Sequence, residues 1–447
     1  MAEIGTLQRA YRRARRNAEA THERTALPQL GIGGVQGLCY DLQSLSNCRV
    51  SPVIPQAQAP AAPPFFQLRC SLAYAAPLGV NGVVLPFLPV WLSGLAFSDY
   101  QIGLVLAMQL VLRLLAAPVA GLLADRLDEK TTMLAWSGGL SFVTALAMFF
   151  TDNFLGVLLV IAVQATVFAP YAPIVESIAV SGVRRWGFHY GSMRVWGSIG
   201  FVTVTLLAGE ARGLWGLNAI PAIMALGFLF TILVAFAAPR LGRSIVQPDA
   251  SGVLKPSSLK RKDLHLLMIG ASVAQAGHGM FYTFGAIQWQ AMGFSSGTIG
   301  ILWSISVICE IVVFFISGWL VRRVSSWTLM RVGCAVALIR WTLFPLDFGV
   351  WGFAALQALH AFTFAFIHIG MQNRLVDSVR EDQESSVQGA YVFYNGVFLA
   401  LSTLLSGVLY HQFGAASYVA MALLALIGLG IIALAARIQP QSAASGG

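Results

Sequence analysis

From Phe66 to Arg437 the chain is a succession of twelve apolar stretches, most of them close to the roughly 20 residues that carry a helix across a bilayer. Three of them, Phe154–Ala169, Ile220–Ala238 and Tyr418–Ala436, contain no charged residue at all. In hydrocarbon no water pairs with exposed N–H and C=O groups, so a spanning segment must satisfy its backbone within itself as a helix, or within a closed barrel. Continuous apolar runs, not alternating ones, point to helices. The pattern predicts an all-α polytopic membrane protein with spans near 66–92, 100–124, 131–151, 153–179, 190–209, 213–238, 263–290, 296–321, 327–346, 349–373, 387–411 and 416–437. Composition agrees: of 447 residues 57% are hydrophobic and 11% charged, against about 25% charged in soluble domains.

The basic residues set the orientation. Loops after the second, fourth, sixth, eighth and tenth spans hold fourteen, including Lys130, Arg184, Arg240, Lys262, Arg323 and Arg380; the alternate loops hold only Arg212. The positive-inside rule then puts both termini in the cytoplasm. Most of the net charge of +9 is accounted for in this way and calls for no nucleic acid. Residues 1–65 are basic, then rich in Pro and Ala, and are expected to be a disordered cytoplasmic tail; no apolar core of a signal peptide follows their charge. A polar stretch, 240–262, divides the spans into six-helix lobes at 66–239 and 263–438, with a short tail at 439–447. The lobes echo each other weakly: "GLLADR" at 121–126 follows the second span and "GWLVRR" at 318–323 follows the eighth. Such repetition marks transporters whose site lies at mid-membrane between repeats.

Ionisable residues inside the spans are the candidate site, because a charge at the bilayer centre costs several kcal/mol, about 2.5–3.5 on the lenient scales. Arg194 sits in "HYGSMRVWGSIGF", with Gly191, Arg194 and Gly197 on one helical face, so it should turn inward and find a partner; Glu176 is the leading one. Glu310 is enclosed by apolar neighbours in "SVICEIVVFF" and is a candidate proton carrier, and Arg340 lies in "ALIRWTLF". His278, His360 and His368 fall on spans and could relay protons, while Arg113 either contacts substrate or pairs across helices. The five cysteines have neither CxxC nor metal-ligand spacing, and there is no HExxH or phosphate loop. No cofactor, metal or enzymatic activity is expected. Without an ATP site, transport would draw on an ion gradient.

"AGLLADRLDEK" resembles the loop signature of the major facilitator superfamily through Gly121, Asp125, Arg126 and Lys130, although Asp128 and Glu129 replace its usual Gly and Arg. "APIVESIAVSGVRRWGFHYGSMRVWGSIGF" is similar to the fourth and fifth spans of the lactose permeases and of the related phenylpropionate-permease and nucleoside-symporter branches. That resemblance covers about residues 66–437 and matches Glu176 and Arg194 to the family's sugar-binding pair; it continues at Glu310, Arg340 and His360. Thr363 stands where lactose permeases keep a proton-carrying acid. "HGMFYTF" and "LHAFTFAFIH" look closest to the phenylpropionate branch.

The resemblance implies two six-helix lobes working by alternating access, with substrate held by Arg194, Glu176, Arg340 and Arg113. Protons would be handled by Glu310, His360, His278 and His368, and gating braced by Gly121, Asp125 and Arg126. The expected function is proton-coupled uptake of an aromatic acid, such as a phenylpropionate-like compound, across a bacterial inner membrane by a monomer. Sugar or nucleoside symport, or export, is the alternative.

Overall fold

In a computed structural model of the protein, residues 61–124, 129–241, 260–379 and 384–439 are described. The expected tail at 1–65, the linker at 240–262 and the tail at 439–447 fall almost wholly outside them, as do Asp125 and Arg126. The described helices belong to one contact unit, 62–447, and no strand occurs among them.

Twelve helical passages follow one another, close to the predicted spans. They are α1 (Phe66–Gly94), α2 (Asp99–Ala124), α3 (Lys130–Ala147), α4 and α5 (Phe154–Phe168 and Tyr171–Trp186, one passage), α6 (Tyr190–Trp215) and α7 (Ala219–Ala237). The second six are α8 and α9 (Lys262–Ala276 and His278–Ala291, one passage), α10 (Ser296–Arg323), α11 (Ser326–Leu343), α12 and α13 (Gly349–Ala358 and Ile367–Ser378, one passage), α14 (Glu384–Phe413) and α15 (Tyr418–Ile438).

Local chemistry fixes several ends. Asn153, Ser295 and Ser325 accept a hydrogen bond from the backbone N–H three residues on, at Gly156, Thr298 and Thr328. Each such cap is worth about 1 kcal/mol. The fifth passage runs to Trp215, beyond the expected 209, because the stop is Gly216 at φ 73° and not the polar run at 209–212. Arg212 is therefore a last-turn residue of α6, donating to Ser296 Oγ at 2.9 Å.

Pro77, Pro86, Pro89 and Pro118 lie within uninterrupted helix, while the break in the fourth passage falls at Ala169–Pro170. Two interruptions have no proline. At Gly277 a Cβ would lie 3.0 Å from Trp341 Nε1, so glycine lets the indole close on the backbone. The tenth passage contains a π-helical turn, Phe362–Phe366, a distortion common at functional sites.

Small residues bring α1 and α6 together. A Cβ on Gly200 would stand 2.5 Å from the Ala75 carbonyl oxygen, and one on Gly197 would stand 2.5 Å from Leu78. The expected glycine face is thus half right, since Gly191 has nothing within 4 Å. Gly200→Ala should overpack this seam and cost about 1–3 kcal/mol, read as a lower thermal midpoint in detergent. Gly191→Ala should leave the midpoint unchanged or raise it, because alanine is the better helix former.

The first six passages meet the second six through backbone at the end that carries the loops after passages 1, 5, 7 and 11. A Cβ on Gly407 of α14 would lie 2.6 Å from Asp99 O of α2, and one on Gly103 would lie 3.0 Å from Gly407 Cα. A Cβ on Gly209 of α6 would lie 2.6 Å from Ser296 O of α10. His411 adds a contact to Asp99 at 3.6 Å.

Candidate functional site

The charged residues of the spans form two clusters, one on each half of the chain. On the first, both oxygens of Glu176 (α5) are taken: Tyr74 (α1) donates to Oε2 and Tyr190 (α6) to Oε1, each at 2.6 Å. Arg194, one turn after Tyr190, is half-buried with its guanidinium carbon 5.5 Å from the centre of the Tyr74 ring. It forms no ion pair with a described carboxylate. The expected Glu176–Arg194 ion pair is therefore replaced by a carboxylate held between phenols beside a cation resting on one of their rings, worth about 0.5–2 kcal/mol. Gly197 leaves room for that cation, since a Cβ there would lie 2.9 Å from an Arg194 terminal nitrogen.

On the second half Arg340 (α11) is fully buried, at 0% exposure. Its Nε donates to Leu356 O at 2.9 Å, and its terminal nitrogens donate to Gln357 Oε1 at 2.7 Å and Thr363 Oγ1 at 3.3 Å. Its carbon lies 4.3 Å from the centre of the Trp341 ring. No carboxylate pairs with it among the described residues; neutral acceptors and an aromatic face hold the charge. In this conformation Arg340 has no surface to offer a solute.

Hydrogen-bond logic fixes the histidines. One Arg340 terminal nitrogen stands 3.4 Å from His360 Nδ1, and arginine only donates, so Nδ1 accepts and the imidazole proton sits on Nε2. That nitrogen faces Glu310 Oε2 at 3.4 Å. His278 Nδ1 lies 2.8 Å from Gln275 O and must carry a proton, while its Nε2 lies 3.2 Å from Thr363 Oγ1, whose own hydroxyl donates to His360 O at 3.1 Å. Both ring nitrogens of His278 thus have a partner in this conformation. His368 lies parallel to Phe364, centroids 5.9 Å apart, and Phe364 lies nearly parallel to His360 at 5.6 Å, so the π-turn stacks two imidazoles on one phenyl.

Glu310 lies within coulombic range of both His368 and Arg194. Arg113 is half-buried on α2 and makes no ion pair with a described residue. Gly121 lies in the last turn of α2, which ends at Ala124.

Four participants were not foreseen: Tyr74, Tyr190, Gln357 and the hydroxyl of Thr363. Tyr190 carried a signal, standing one turn before Arg194 on the same face. Tyr74 and Gln357 carried none, being polar groups in unremarkable apolar contexts whose partners lie 102 and 17 residues away.

Twelve helical passages among the described residues, carrying a charged cluster on each half of the chain, fit a membrane transporter of the major facilitator fold. The chain belongs to the MFS_1 like family, whose model matches residues 68–420. It is 28% identical over 356 residues to a probable 3-phenylpropionic acid transporter of Escherichia coli strain K12, covering 77% of this chain and 91% of that protein. It is 24% identical over 320 residues to a raffinose permease of Escherichia coli, covering 64% and 72%. A crystal structure of the nucleoside transporter NupG superposes with a TM-score of 0.67 at 18% identity, covering 83% of this chain and 98% of that one; the similarity there is of fold.

Proposed function

We propose that the protein is a proton-coupled symporter that takes up a small aromatic carboxylate across a bacterial inner membrane, with both termini cytoplasmic. The observation that carries this reading is the division of labour in the first cluster. Glu176 has both oxygens occupied by phenols and is poorly placed to accept hydroxyls from a sugar, whereas Arg194 has no carboxylate partner. A planar guanidinium open on one side suits a carboxylate, through two parallel N–H···O contacts. The Tyr74 ring beside it offers a face for an aryl group.

Two six-helix lobes, 66–239 and 263–438, would rock around this point. With the basic loops inside, the glycine contacts at Gly103, Gly407 and Gly209 lie at the outer end, and the conformation is closed to the outside. The relatives support the substrate class through the probable 3-phenylpropionic acid transporter. The raffinose permease and the nucleoside transporter fold keep sugar and nucleoside symport as the second reading.

Vesicles holding the purified chain, given an inward pH gradient and a panel of labelled solutes, test the proposal. Accumulation of 3-phenylpropionate that collapses with a protonophore is expected. Accumulation of raffinose or a nucleoside without the aromatic acid would overturn it, and efflux driven by the same gradient would make the protein an exporter.

A further inference from the structure

On the outer surface of the first six passages α3 and α7 diverge, leaving a groove of about 590 Å3. Its floor is Gly139, where a Cβ would meet nothing within 4 Å, and its walls are Trp136, Val143 and Phe236, exposed by 68, 60 and 65%. One end is polar: Thr131 and Thr132 open α3, and Arg240 follows the end of α7. The helices run antiparallel in register, with Gly138 against Thr231 and Ile232, so Arg240 and Thr131 share that end. From Thr131 to Val143 a helix advances about 18 Å, close to half of a ~30 Å hydrocarbon layer.

Arg240 is also an uncommitted cation among the described residues at this helix end. Arg69 donates to Ala237 O through Nε, and to Ala238 O at 2.9 Å, while Arg185 donates to Leu241 O at 3.2 Å. The carbonyls that end α7 are therefore satisfied without Arg240, which is exposed and forms no ion pair with a described residue.

We propose that this groove is a binding site for one anionic phospholipid, its phosphate on Arg240 and the threonine hydroxyls and one acyl chain laid over Gly139 between Trp136 and Phe236. Length selects a lipid of a single leaflet, and charge selects its headgroup. A zwitterionic headgroup brings an ammonium towards Arg240, Arg69 and Arg185, whereas an anionic one does not. One basic residue near the surface gives a preference of about fivefold.

The full chain in nanodiscs of zwitterionic lipid, doped with brominated phosphatidylglycerol or brominated phosphatidylcholine, reads this directly. The quenching assigned to Trp136 is the difference between wild type and Trp136→Phe. About fivefold stronger quenching by the phosphatidylglycerol is expected, with the preference lost in Arg240→Gln and quenching by both lipids reduced in Gly139→Leu, which fills the floor. Arg240 is exposed, so its variant folds even if the glycine variant does not. Equal quenching by the two lipids, or a preference that survives Arg240→Gln, would overturn the site. So would two copies per disc with Trp136 shielded from both lipids, which would make the groove a contact between copies of this chain.

Discussion

Arg194→Lys lowers substrate uptake by roughly 30- to 150-fold at normal membrane expression, the equivalent of about 2–3 kcal/mol for a charge-assisted contact to a buried carboxylate. The positive charge survives this change, so electrostatic attraction alone predicts little effect. What is lost is the planar fork, together with the flat face that rests on Tyr74. The paired change Tyr74→Phe and Tyr190→Phe serves as the comparison. It removes both donors from Glu176 and frees that carboxylate to turn to Arg194 as an internal competitor. Uptake should then show a KM raised by about tenfold with kcat largely kept, since a ground-state competitor weakens binding without touching later steps. Radiolabelled uptake over a substrate series measures both. Wild-type transport by Arg194→Lys would remove Arg194 from the substrate site.

Glu310→Gln should spare exchange of substrate across the membrane and abolish uphill accumulation driven by a pH gradient. The argument is one of available protonation sites. His278 has both nitrogens engaged, and His360 must keep Nδ1 bare while Arg340 donates to it. The imidazole can therefore pass a proton through Nε2 but cannot hold a second one without breaking the Arg340 contact. Glu310, 3.4 Å from that Nε2 and within coulombic range of Arg194, is where a proton and a bound anion would sense each other. Coupling requires that the loaded and empty forms differ in their ease of reorientation, and Gln fixes the group in one charge state. If the Gln variant still concentrates substrate uphill, Glu310 is not the obligatory carrier; uncoupled transport by His360→Gln would then give the role to the histidine.

Most of the fold was legible because membrane helices announce themselves one segment at a time: length, apolarity and the side on which basic residues fall are all local properties. The starts at Asn153, Ser295 and Ser325 were readable for the same reason. The interruptions at Gly277 and Phe362–Phe366 were not, because each answers to a distant neighbour or to backbone register. Arg194, Glu310, Arg340 and His360 stood out as ionisable groups with no place in lipid, and the clusters are built on them. Their partners were less visible. Glu176 and Arg194 occupy adjacent passages, but two phenols outcompete the guanidinium for the carboxylate, and that depends on where α1 crosses α6. Thr363 was read as a missing acid; its hydroxyl instead joins Arg340 to His278, a role that needs no titratable proton.

The contacts that shut one end of the molecule include three made on bare backbone, Gly407 on Asp99, Gly103 on Gly407 and Gly209 on Ser296, beside the side-chain contacts of Arg212 to Ser296 and His411 to Asp99. The backbone surfaces do not interlock, so little besides the Arg212 and His411 contacts has to be broken for them to part. The population of the shut form is correspondingly sensitive to a single methyl group, which acts as a wedge wherever it is introduced. The fit of three bare patches of main chain would thus weigh on the balance between the shut and open forms. A chain that drifted towards alanine at these positions would spend its time with this end open, although Arg194, Glu176 and Arg340 would all be untouched.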